Sequence, residues 1–267
     1  MAEKIRLDVL LHQRGLIESR EKARAMIMAG EVTVNGVLVD KPGTKINEAD
    51  ELILKAKPRY VSRGGDKLEG ALRDFAYDPT GRICADVGAS TGGFTDCLLQ
   101  HGAEKVYAID VGYGILDHRI RIDPRVVVIE RTNARYVEKL AEPVNLVVVD
   151  ASFISVKILL PTIKAWLMPQ ADLIILIKPQ FEAGKKDVGK GGVVKSASIH
   201  KRILHEVLEF ALGLGFAVRG LTTSPLKGPA GNTEFLAWLS VGGDNNPAIE
   251  INQLIQIVAY NEQTELK

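Results

Sequence analysis

The sequence predicts an α/β protein of Rossmann-like type, with a mostly parallel seven-stranded sheet and helices on both faces. A small α+β domain precedes it. Three observations carry this. Short, nearly continuous apolar runs alternate with amphipathic helical stretches from residue 66 onward. A glycine-rich turn joins the first of those runs to the helix after it. The first fifty or so residues follow a different rhythm, with two helices, a hairpin and a strand. The expected organisation is a domain over residues 1–56, a basic linker over 57–65 and the α/β domain over 66–267.

The elements follow in order. Leu7, Leu10 and Leu11 repeat at helical spacing. Ser19 is suited to cap a second helix over 20–29, with Glu21 at its positive end and Gly30 as its stop. Residues 32–34 and 37–39 are β-branched runs joined by Asn35-Gly36, a strong hairpin signal. A third strand over 51–54 follows the Pro42-Gly43 turn. Pro58 and Gly64-Gly65 punctuate the basic stretch. Residues 66–75 read as a helix with Leu68, Ala71, Leu72 and Phe75 on its apolar face. Strands are expected at 83–87, 106–110, 126–129, 146–150 and 173–177, and helices at 92–101, 156–167 and 196–213. Strands at 218–223 and 234–241 would finish the sheet as an antiparallel pair, and a closing helix is expected at 247–261.

Bulk composition excludes more than it selects. The 267 residues are 46% hydrophobic and 25% charged, with net charge +1, so any nucleic-acid surface must come from local arrangement. Cys84 and Cys97 make neither a disulfide framework nor a metal cluster, which points to a reducing cytoplasm. No signal peptide is visible, and no apolar stretch approaches the ~20 residues a membrane span needs. No membrane association is expected.

The stretch Asp86-Val-Gly88-Ala-Ser90-Thr-Gly92-Gly93-Phe94-Thr lies between the first strand and its helix. Small residues there allow a tight turn and close approach of a ligand to the backbone. Asp110 ends the next strand, where a carboxylate can accept both hydroxyls of an adenosine ribose. The glycines fit the dinucleotide pattern poorly, and Asp86 would repel a pyrophosphate. The same carboxylate suits the sulfonium and amino group of S-adenosyl-L-methionine (SAM). Asp86, Gly88, Ser90, Gly92, Gly93, Phe94 and Asp110 are therefore candidate cofactor-binding residues, with Asn133 and Ala134 placed where an adenine would lie.

Four charged residues sit at element ends: Lys67 before the first strand, Asp150 and Lys178 after the fourth and fifth, and Glu234 at the start of the last. Ligands of open α/β sheets bind beyond the carboxyl ends of the strands. A ribose 2′-hydroxyl needs a base, and an amine serves when a second cation and burial lower its ordinary pKa of about 10.4. Lys178 is the expected base, Asp150 its positioner, Lys67 the second cation and Glu234 the group that orients Lys67 or the ribose. No metal is needed. The sequence has neither the Asn/Asp-Pro-Pro-aromatic motif of amino-methylating enzymes nor a Pro-Cys nucleophile.

Together, Val61-Ser-Arg-Gly-Gly-Asp-Lys67-Leu-Glu, residues 86–95, Asp150-Ala-Ser-Phe-Ile-Ser, Lys178-Pro-Gln-Phe-Glu182 and Gly231-Asn-Thr-Glu234 resemble the TlyA family over nearly the whole chain. These are ribosomal RNA cytidine-2′-O-methyltransferases with an FtsJ-like catalytic domain, historically labelled haemolysins. The resemblance implies a SAM-dependent methyltransferase fold, the tetrad Lys67, Asp150, Lys178 and Glu234, and SAM contacts at Gly88 and Asp110, with Asn133 and Ala134 near the adenine. It also implies that residues 184–192 form a loop beside the active site. Residues 5–54 resemble the small RNA-binding domain found in a small-subunit ribosomal protein, pseudouridine synthases and tyrosyl-tRNA synthetases.

The implied partner is ribosomal RNA or a ribosomal subunit. Arg6, Arg20, Lys22 and Arg24 are candidate phosphate contacts in the first domain. Arg59 and Arg63 would extend that track, and Lys185 and Lys186 would meet RNA near the target ribose. Three rival functions stand beside this one: a non-catalytic ribosome-assembly factor, a haemolysin-like membrane-active protein and a nicotinamide-dependent oxidoreductase. Oligomeric state is left open.

Overall fold

The computed structural model describes residues 4–55, 58–242 and 250–264. The chain divides into two compact units, Met1–Pro58 and Arg59–Lys267.

In the first unit β1 (Ile5–Arg6) leads into α1 (Leu7–Gln13), and α2 (Arg20–Met28) follows. The Ser19 hydroxyl accepts from the Lys22 amide at 3.2 Å, which satisfies one free donor at the start of α2. Then come β2 (Val32–Val34), β3 (Val37–Leu38), β4 (Lys45–Ile46) and β5 (Leu52–Leu54). Asn35 and Gly36 take φ of 49° and 78°, the paired left-handed geometry of a tight hairpin. The three-stranded sheet runs β3-β2-β5, while β1 pairs with β4, a small ladder that no local pattern announces. Leu7, Leu10, Leu11, Ile27, Val32 and Ile46 are among the residues that form the core.

The second unit opens with α3 (Arg63–Asp74), which begins three residues earlier than the sequence suggests. Residues 59–65, expected as linker, are packed. Tyr60 is buried. The Val61 amide donates to Asp96 at 2.8 Å. A Cβ on Gly65 would fall 2.2 Å from the Tyr60 ring, so this glycine is needed for close packing rather than for flexibility.

Then follow β6 (Ile83–Val87), α4 (Gly93–Gln100), β7 (Lys105–Ile109), α5 (His118–Arg121), β8 (Val126–Ile129) and a 3₁₀ turn over Ala134–Tyr136. After these come β9 (Val144–Val149), α6 (Val156–Lys164), β10 (Leu167–Ile177), α7 (Pro179–Glu182), α8 (Ala197–Gly213), β11 (Ala217–Thr223), β12 (Phe235–Val241) and α9 (Ile251–Thr264). Of the closing helix expected at 247–261, residues 247–249 lie outside the described residues.

The sheet order is β11-β12-β10-β9-β6-β7-β8. β6 to β10 pair in parallel, and β12 is antiparallel to both its neighbours. The unbroken apolar runs are explained by burial on both faces. Val147, Val149, Leu173, Ile175 and Ile177 share a core with α6, α8 and α9. Leu146, Val148, Ile174 and Leu176 share the other with α3 and α4. The strand order reverses between β6 and β9, and their carboxyl ends open there onto a cleft.

Candidate active site

The turn after β6 is held by backbone geometry. Gly88 has φ +86°, and a Cβ there would lie 2.7 Å from the carbonyl oxygen of Asp150. Only glycine lets the turn press against the end of β9 in this way. The Ser90 amide donates to Asp110 Oδ2 at 2.8 Å. The Gly112 amide donates to Oδ1 at 2.6 Å. The carboxylate after β7 is thereby fixed in orientation while facing the cleft.

Two lobes make up that cleft. One, of about 460 Å³, is lined by Ser62, Arg63, Gly64, Lys67, Gly93, Phe94, Lys178, Lys227 and Pro229, among others. The other, of about 610 Å³, includes Ile109, Asp110, Val111, Asn133, Ala134, Phe153 and Leu159 in its wall. Gly88, Ser90, Asp150 and Ser152 border both. The second lobe joins an apolar surface to a carboxylate at the end of β7. That combination, an acceptor for ribose hydroxyls beside an apolar wall for a base, is what an adenosine group requires. The second lobe therefore fits the adenosine group of SAM.

The structure brings the four charged residues together as two ion pairs. Lys67 Nζ lies 2.5 Å from Glu234 Oε2, and both side chains are almost fully enclosed. Lys178 Nζ lies 2.6 Å from Asp150 Oδ1. It also donates to Ser152 Oγ at 2.8 Å. Glu234 sits just ahead of β12 and receives a further hydrogen bond from Gln180 Nε2 at 3.3 Å. Burial pushes the Asp150 carboxyl up from its ordinary range, an effect that Lys178 and then Lys67 oppose and Glu234 reinforces. Glu182 closes the far end of the Lys178 segment. It accepts from Ser155 Oγ at 2.6 Å and from the Val156 amide at 2.7 Å, tying α7 to the start of α6.

Two residues expected against the cofactor stand elsewhere. Asp86 is fully buried behind the turn and lines neither lobe. Its Oδ2 accepts from the Thr95 amide at 2.9 Å and the Thr95 hydroxyl at 2.7 Å, which anchors the first turn of α4. In a strand covered on both faces, alternation gives no clue to which side a residue takes. Gly92 also lies outside both linings. Its φ of +95° starts α4, and the missing Cβ leaves room for Leu116. Phe94 is a core residue of α4 whose edge reaches the first lobe.

The basic residues divide as well. Arg6 makes two bonds to the buried Asp8, at 2.9 and 3.0 Å, and Arg20 reaches the same carboxylate at 3.4 Å. Lys22 pairs with Glu18, and Arg24 is exposed. Arg59 pairs with Glu69. Arg63 reaches the first lobe and donates to the Lys227 carbonyl at 2.8 Å. Lys185 and Lys186 are exposed on the loop after α7. That loop is held by the buried Asn232, which accepts from the Val194 amide at 2.9 Å and donates to the Gly192 carbonyl at 3.0 Å.

Ser62, Gly64, Lys227 and Pro229 were not foreseen as lining residues, nor was Ser152 as the partner of Lys178. Phe153 also carried no individual signal. It takes φ +63°, is 91% exposed and packs at 5.1 Å, its ring tilted by 46°, against Phe181 at the mouth of the second lobe.

Comparison with known proteins is consistent with this geometry. Residues 60–241 match the FtsJ-like methyltransferase model, and residues 5–52 match the S4 domain model. The chain is 46% identical over 248 residues to the 16S/23S rRNA (cytidine-2′-O)-methyltransferase TlyA of Mycobacterium tuberculosis, covering 91% of this chain and 92% of that one. It is 44% identical over 236 residues to a protein named Hemolysin A from Brachyspira hyodysenteriae, covering 87% and 98% respectively. A solved structure from Streptococcus thermophilus, also titled as a hemolysin, superposes with a TM-score of 0.73 at 43% identity, over 99% of this chain and 98% of that one.

Proposed function

Since the chain belongs to the FtsJ-like methyltransferase family, we propose that it transfers a methyl group from SAM to a ribose 2′-hydroxyl of ribosomal RNA, at a cytidine. The observation that carries this is the position of the Lys178–Asp150 pair. Both residues line the first lobe, and Asp150 also forms part of the partition with the second.

Bound SAM supplies a methyl group on a positively charged sulfur. The chain supplies the rest. Asp110 would accept the hydroxyls of the adenosine ribose, and Ala134 and Asn133 would hold the adenine. Gly88 lets the ligand pass close to the backbone. In the first lobe, Lys178 would take the proton from the attacking hydroxyl, and Asp150 and Ser152 would hold the ammonium that results. Lys67 directs its charge at the developing oxyanion, and Glu234 fixes Lys67. Arg63, Lys185 and Lys186 contact phosphates near the target. Arg24 and the exposed parts of Arg6, Arg20, Lys22 and Arg59 contribute salt-dependent affinity that is independent of sequence. A ribosomal substrate places the protein in the cytoplasm, where the buried free thiols of Cys84 and Cys97 stay reduced.

The test is to incubate ribosomal subunits with labelled SAM and map 2′-O-methyl positions on the RNA. Label on a cytidine ribose is the expected result. Label on a base nitrogen or carbon would overturn the assignment.

A further inference from the structure

Asp86 has a second carboxylate oxygen that the anchoring of α4 does not use. Oδ1 is buried and has no hydrogen-bond partner. A buried polar atom left in this state needs a physical reason. The charges around it deepen the question. Asp110 follows β7 and Asp150 follows β9, the two strands that flank β6, so three carboxylates converge on one turn. No cation among the described residues compensates Asp86. Lys67 of α3 is held by Glu234, and Lys178 after β10 is held by Asp150. From α4 only Thr95 reaches it, because Asp96 faces the Val61 amide and Gln100. On α3, Glu69 is turned to Arg59 and Tyr60.

We infer that Asp86 is a proton-linked charge sensor for the cofactor lobe, giving up a proton when a cationic ligand enters and regaining one when that ligand becomes neutral at sulfur. It touches neither ligand. It acts through the Gly88 turn as a residue that discriminates substrate from by-product. Burial, together with repulsion from Asp150 and Asp110 and against the pull of the Thr95 hydrogen bonds, raises its carboxyl to about 7. A nearby sulfonium favours the ionised form, so cofactor affinity rises with pH up to that value and levels off above it. S-adenosylhomocysteine has lost the sulfonium charge and gains much less from the ionised carboxylate. Methyl transfer therefore weakens the hold on the spent cofactor.

This inference rests on the SAM reading of the second lobe. Calorimetric titration of the full chain near pH 7, in buffers of small and large ionisation enthalpy, counts the protons exchanged on binding. SAM is expected to release a substantial fraction of one proton, and S-adenosylhomocysteine much less. From pH 8 to pH 6 the affinity ratio of SAM to S-adenosylhomocysteine is expected to fall several-fold in the native protein, a readout that needs no variant. Asp86→Asn abolishes both effects while still binding both ligands. Equal proton counts for the two ligands, or a ratio that does not change with pH, overturns the sensor and leaves the cofactor assignment standing. Failure of the native protein to bind either ligand sinks the cofactor assignment and the sensor together.

Discussion

The two ion pairs of the cleft have the same chemistry and different surroundings. Lys67 and Glu234 are enclosed, with side chains 9% and 1% exposed, and Glu234 lies behind the cavity wall. Lys178 is as deep, but its partner Asp150 is 21% exposed and borders both lobes. A sealed pair fixes geometry, because separating it leaves a buried charge without compensation. A pair open on one side can exchange a proton with whatever enters. On the proposed function, Glu234 therefore fixes Lys67 in place at the lobe wall, while the Lys178–Asp150 pair is the one placed to exchange a proton.

The sharpest break comes from Lys178→Ala. Methyl transfer is expected to fall by about 10²–10⁴-fold, the range for loss of a general base, while SAM binding by calorimetry is retained. Normal turnover would remove Lys178 from the role. Glu234→Ala attacks the sealed pair and should cost about 3–5 kcal/mol in urea unfolding, since Lys67 stays buried without a counter-charge. A Lys67→Met, Glu234→Leu double variant sharpens the contrast, regaining stability without regaining activity. Asp150→Asn tests the open pair through pH. The Asp150 carboxyl is raised by burial, so it loses its charge, and with it the hold on Lys178, at a higher pH than an ordinary aspartate. Native turnover should therefore decline on acidification before the usual carboxylate range is reached, and the asparagine variant should lack that limb. The smallest effect belongs to Ser152→Ala, which removes one hydrogen bond to Lys178. At roughly 0.5–1.5 kcal/mol the turnover drops about two- to tenfold, with unfolding little changed.

These contrasts were only partly legible beforehand. Lys67, Asp150, Lys178 and Glu234 stand at the ends of predicted elements, and topology alone brings such positions together. Which two would be sealed depends on the segment before β12, where Gly228 lies against the Glu234 carboxylate, and residues 224–231 carry no periodic pattern. In sequence, a glycine pair such as Gly64-Gly65 marks a mobile joint and a tight helix contact alike; the buried Tyr60 decides for the contact. Arg6 and Arg20 are candidate phosphate contacts from sequence. Asp8, buried on α1, takes part of their charge, and nothing in a short mixed-charge segment reveals that. Ser152 was silent because a serine after a strand carries no signal until its partner is known.

The partition between the lobes has a consequence for divergence. Gly88, Ser90, Asp150 and Ser152 serve as a common wall, so a substitution there is felt by methyl donor and methyl acceptor at once. On the proposed function, a change of RNA target that spares the donor chamber has to come through residues that border the first lobe alone, such as Lys227 and Pro229.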